Sequence, residues 1–173
     1  MLKVRDYCPP KFTKVEVDLY IPITIELGTW NVSEEPTTYW RTGDFKKSLI
    51  EIGVGKDSGD IRSITLAVCE NVYKEDYEHL CLSDPESIVG LPVIHSNQEN
   101  DEIYHDEKGT LEVFLGGSTL YIKLSENEVV SYIKSEPIEF GIDNEHRICG
   151  ILIKEIHERE KSILIEALDL QFD

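Results

Sequence analysis

Ile50-Glu51-Ile52-Gly53-Val54 returns 88 residues later as Ile138-Glu139-Phe140-Gly141-Ile142. The run after it, Ile61-Arg62-Ser63-Ile64-Thr65-Leu66, returns 87 residues later as Ile148-Cys149-Gly150-Ile151-Leu152-Ile153. Five of the eleven aligned positions are identical, and the second turn is one residue shorter. Two β-branched runs flanking a polar turn read as a hairpin. One register serves both copies: Ile52 opposite Ile64 and Ile50 opposite Leu66, then Phe140 opposite Ile151 and Ile138 opposite Ile153. A weaker echo sets Glu16-Val17-Asp18-Leu19 against Glu112-Val113-Phe114-Leu115. Two readings stand. Either a unit over 13–72 is duplicated over 110–170 across an acidic insert at 73–109, or unrelated hairpins share a pattern.

The rest of the chain is also written for strands. From Thr13 to Leu27 the apolar residues fall on odd positions, with Pro22 marking an edge, bulge or break. Gly116-Gly117 predicts a two-residue hairpin turn that sets Leu115 against Ser118 and Val113 against Leu120. Ser162 to Phe172 fits a helix face or a strand, and a strand would give the preceding run a partner. Residues 74–80 suit a short helix, and Ser96 to Lys108 is polar enough for an exposed loop. The expected fold is mainly β: an antiparallel sandwich or open barrel, with one or two short helices at most. Neither half has the bulk for a core alone, so 1–173 is read as a single domain.

Charge narrows the function. Thirty-four acidic residues against 17 basic ones give a net charge of −17. Such a surface repels phosphate backbones and anionic lipid, so neither nucleic acid nor membrane is an expected partner. It attracts and steers basic proteins. No apolar run has signal-peptide or membrane-span length, so the cytoplasm is the expected compartment. Cys8, Cys69, Cys81 and Cys149 are too sparse for a disulfide framework and are read as reduced thiols.

Motifs for catalysis are scarce. There is no nucleophile elbow around a serine and no glycine-rich phosphate loop. His79-Leu80-Cys81 offers two zinc-type ligands with no recognisable second pair. No enzyme activity, cofactor or metal is therefore expected. The one catalytic alternative uses Glu51 and Glu139: if the halves are related by a pseudo-twofold, the two carboxylates could meet for acid–base work or cation binding. A third reading is a β assembly module with an uncovered strand edge.

The phrase from Ile50 to Leu66, with its Gly55-Lys56-Asp57-Ser58-Gly59-Asp60 turn, resembles hairpins in the small acidic immunity proteins of bacterial polymorphic and contact-dependent toxin systems. That resemblance implies a protein that covers the active site of a basic toxin. It carries over no binding residue. The expected contacts come instead from the residues themselves. Glu99, Asp101, Glu102, Asp106 and Glu107 form an acidic segment, and Trp30 and Trp40 lie in an aromatic loop suited to interface anchoring, or to capping the core.

Overall fold

The computed structural model describes residues 1–28, 35–76, 85–95 and 102–169. The predicted β class holds: among the described residues there are two large sheets, one two-stranded ribbon and one helix.

The first unit comprises β2 (Thr13–Val17), β3 (Ile23–Leu27), β4 (Thr37–Gly43), β5 (Leu49–Gly55) and β6 (Ile61–Val68). The second comprises β11 (Glu112–Leu115), β12 (Leu120–Lys123), β13 (Ser131–Ser135), β14 (Ile138–Ile142) and β15 (Ile148–Ile153). Their spatial orders match strand for strand, β4-β5-β6-β3-β2 and β13-β14-β15-β12-β11. The central registers are those the sequence predicts. Ile50 faces Leu66 and Ile52 faces Ile64, while Ile138 faces Ile153 and Phe140 faces Ile151. All eight side chains are fully buried. They contribute to one apolar cluster drawn from both sheets, as two layers sealing one core require.

The repeat reaches further than the hairpin phrases. Tyr39 lies opposite Gly53 and Tyr132 opposite Gly141. Arg41 faces Glu51, and Lys134 faces Glu139. Both glycines are closely covered: a Cβ at Gly53 would collide with the Ser63 hydroxyl and one at Gly141 would come within 2.9 Å of Val129, with the cross-strand tyrosine ring packed beside each. The absence of a Cβ makes room for this packing.

Several expectations are corrected. The Gly116-Gly117 turn is longer than two residues: Leu115 pairs with Leu120 and Val113 with Ile122, so 116–119 form the loop. The Gly116 N–H donates to the Thr119 carbonyl, and the Gly117 N–H reaches the Asp76 carboxylate. The shift of two residues keeps every side chain on its expected face. It also moves the weaker echo, so Val15 matches Val113 and Val17 matches Leu115. Ser162 to Phe172 does not begin as a strand: α1 (Glu158–Ala167) runs through it, burying Leu164 and then Leu168 one turn later. Glu160 accepts the His157 N–H and caps its start. Residues 74–76 are not helical, and the remainder of that predicted helix lies outside the described residues.

The acidic insert is more than a linker. It supplies β7 (Val72–Tyr73), β8 (Glu86–Val89), β9 (Leu91–Ile94) and β10 (Tyr104–Lys108). The last was expected as loop. β10 runs parallel to β4, and β8 runs parallel to β13, so each unit gains an edge strand at the same place.

β9 also pairs antiparallel with β1 (Val4–Cys8), and this ribbon ties the units crosswise. The Val4 N–H donates to the His146 carbonyl in the second unit's hairpin turn, and the Ile94 N–H donates to the Gly59 carbonyl in the first's. Each leading strand is thus bound to the other unit's turn. The trailing elements cross over too: β7 pairs with β11, and α1 rests against β2.

Candidate functional site

β10 carries the acidic residues to the edge of the first sheet. Its own sequence, Tyr-His-Asp-Glu-Lys, has little strand preference, so its position depends on what holds it. The Arg41 guanidinium forks onto Asp106, with Nε 2.7 Å from Oδ1 and Nη2 3.0 Å from Oδ2. Such paired charge-assisted bonds fix orientation as well as distance. The same guanidinium lies 4.4 Å from the centre of the Tyr104 ring, a cation–π contact. Tyr104 in turn stacks on Tyr39, with centroids 5.6 Å apart. This outward face of the β4–β10 pair therefore combines tyrosine, arginine and carboxylate, the chemistry of interface hot spots. Glu51 sits beside it on β5. Burial raises its carboxyl above the ordinary range, and Arg41 partly offsets this.

On the inward side, the Trp40 indole donates to Glu107 Oε2 at 2.9 Å, and the Met1 amino group bonds to the same oxygen. Burial disfavours the Glu107 anion, but these two donors outweigh it and hold the carboxyl below its ordinary range. Trp40 and Glu107 line an open cleft of roughly 710 Å³ where residues 1–3 meet β4, β5, β9 and β10. Lys3, His95 and His105 stand around it.

The sequence-selected residues separate into three groups. Trp40, Asp106 and Glu107 are brought together on the β4–β10 edge, with Glu102 exposed just ahead of it. Trp30, Glu99 and Asp101 lie outside the described residues. Trp40 is 7% exposed, so it supports the acidic strand from beneath and is not itself a free anchor. Glu51 and Glu139 do not share a site. Their strand neighbours Ile50, Ile52, Ile138 and Phe140 point into the core, so the two carboxylates point away from it, on the outer faces of separate sheets. Glu139 is almost completely buried there, in contact with Lys154 and 3.7 Å from Lys134.

Tyr104 was not singled out from sequence. Tyr39 and Arg41 enter there only as members of the aromatic loop around Trp30 and Trp40, and the structure corrects that loop to the strand β4 over Thr37–Gly43. A signal was present for two of them: Tyr39-Trp40-Arg41 corresponds to Tyr132-Ile133-Lys134 in the second unit. Among the described residues, no three His, Cys, Asp or Glu side chains cluster as metal ligands would. None of the described helices is long and apolar enough to cross a membrane. The His79-Leu80-Cys81 pair lies outside the described residues. No protein-family model matches this chain, and no curated protein matches it.

Proposed function

We propose that this chain is an acidic binding protein that neutralises a basic protein partner, acting as an immunity protein that occludes a toxin domain in the cytoplasm. The observation that carries the reading is the β4–β10 edge. There, acidic residues stand on a strand with one open side, fixed by a bidentate arginine and backed by a buried tryptophan. A net charge of −17 supplies the long-range attraction, and a rigid edge supplies a docking face that loses little entropy on binding.

The carboxylate-enzyme alternative has no comparable support, because Glu51 and Glu139 occupy different faces. The test is association kinetics with the purified basic product of the neighbouring gene. The Glu102→Gln, Asp106→Asn double variant is expected to slow association severalfold and flatten its salt dependence. Unchanged kinetics would remove this edge from the interface. Failure of the parent protein to protect cells expressing that gene product would remove the immunity reading.

A further inference from the structure

We infer that β8 is a second docking edge, one that takes up an extended aliphatic segment with basic flanks by strand addition. β8 and β10 occupy matching places: Tyr104 lies opposite Tyr39, and Ser87 lies opposite the corresponding Tyr132. Their chemistry differs. β10 is charged and fastened by Arg41. β8 reads Glu-Ser-Ile-Val, ends the seven-stranded sheet among the described residues, and leaves Val89 72% and Ile88 43% exposed. Open edges are ordinarily guarded by charge, proline or a bulge. The other open strands of the large sheets follow that rule or are very short: β2 carries Lys14 and Glu16, and β7 has two residues. β8 alone among these offers two adjacent exposed aliphatic side chains.

The backbone of β8 is set to receive a strand. The Gly90 N–H donates to the Lys134 carbonyl of β13 at 2.8 Å. In a parallel ladder alternate residues bond to one neighbour, so Ile88 and Gly90 serve β13 while the amides of Ser87 and Val89 turn outward. Tyr7, half exposed, lies beside Gly90 and extends the apolar surface. Strand addition uses these features together, with outward amides for affinity and alternate side chains for selection. Charge decides the occupant. Glu86 opens the strand and Glu136 follows β13, both exposed, in a molecule of net charge −17. A second copy meets like charge there, whereas basic flanks meet opposite charge.

The probe is a blocked peptide of sequence Lys-Lys-Thr-Val-Thr-Val-Thr-Lys-Lys, titrated into the full chain while amide exchange is followed by NMR. Binding is expected with new protection at the Ser87 and Val89 amides. Val89→Pro removes one outward donor without touching the β13 ladder, and is expected to weaken binding at least tenfold. Val89→Lys keeps the amide but guards the edge, and covers the case in which the proline variant misfolds. The Glu102→Gln, Asp106→Asn variant is expected to bind the peptide as the parent does, which separates this site from the acidic edge. The inference is overturned if the peptide does not bind, if it binds without protecting these amides, or if only the Glu102/Asp106 variant weakens it. Self-association abolished by Val89→Lys would overturn the assigned occupant in favour of a second copy.

Discussion

Gly59 and His146 hold the same position in the two repeats, and both have a left-handed backbone, with φ of 75° and 60°. Each offers its carbonyl to the leading strand of the other unit. A side chain at Gly59 would also collide with the Ile94 carbonyl. Gly59→Ala should therefore cost more than about 2 kcal/mol, combining a left-handed penalty with a backbone clash. His146→Gly removes a penalty of the same kind and should change stability by less than about 1 kcal/mol. Urea denaturation of both variants checks this, and equal losses would contradict the shared-position argument.

Arg62 is the most deeply buried arginine described, with a side chain 5% exposed. It donates to the Glu35 carbonyl and the Thr37 hydroxyl, both at 2.9 Å, and pairs with the Glu35 carboxylate. Arg62→Ala removes this pair and both donated bonds from a buried site and should cost about 3 kcal/mol, measured by urea denaturation.

Acid should weaken the same anchor. Burial alone would raise the Glu35 carboxyl, but the Ser58 and Asp57 amides, the Ser58 hydroxyl and Arg62 outweigh it and lower it from 4.5. Asp143 is lowered from 3.8 by the Arg147 amide, Asn127 and Arg147 against a similar burial cost. A lowered folded value means that the unfolded chain binds protons first. This stabilisation is present above those ordinary values and is lost as pH falls below them. Melting temperature should drop between about pH 5 and 3, and drop less steeply in Arg62→Ala. A parallel decline would assign the acid sensitivity elsewhere.

Burial pushes the Cys69 thiol up to about 11 and the Cys149 thiol up to about 12. Cys8 is only half-buried. Partial burial and the nearby Asp60 raise the Cys8 thiol as well. In a Cys81→Ser background, a disulfide-exchange reagent at about pH 8 should still label Cys8 first, because it alone of the three is partly exposed. The other two should react only at the rate of global unfolding. Fast labelling of Cys149 in the native protein would contradict its enclosure.

Removing the Arg41 fork should release β10 without unfolding the sheets. In Arg41→Ala the amides of His105 and Glu107, which face β4 in the parallel ladder, should exchange faster while those of β5 and β6 keep their protection. Unchanged exchange at β10 would mean that stacking on Tyr39 suffices.

The central hairpins were legible residue by residue because Ile50, Ile52, Ile64 and Leu66 alternate with outward residues, and a one-residue slip would expose the whole set. The Gly116 loop was misjudged because its register depends on Asp76, forty-one residues away. α1 was ambiguous because Leu164 and Leu168 keep helical spacing while Leu168 and Leu170 also alternate. The cap from Glu160 was the overlooked signal. β10 could not be read from its own residues, since Arg41 and Tyr39 make it a strand. The acidic segment was therefore found, but its anchorage was not.

The crosswise ribbon also sets an order of events during synthesis. β1 is made before every one of its partners, Leu91–Ile94 and the turn at His146–Arg147. At about 5–20 residues per second, the ribosome reaches Ile94 roughly 4–17 s and Arg147 roughly 7–30 s after Cys8. Until β9 is made, β1 waits as an unclaimed strand. Arg5 and Asp6 at its centre are the kind of charged residues that discourage a waiting strand from pairing with another nascent chain.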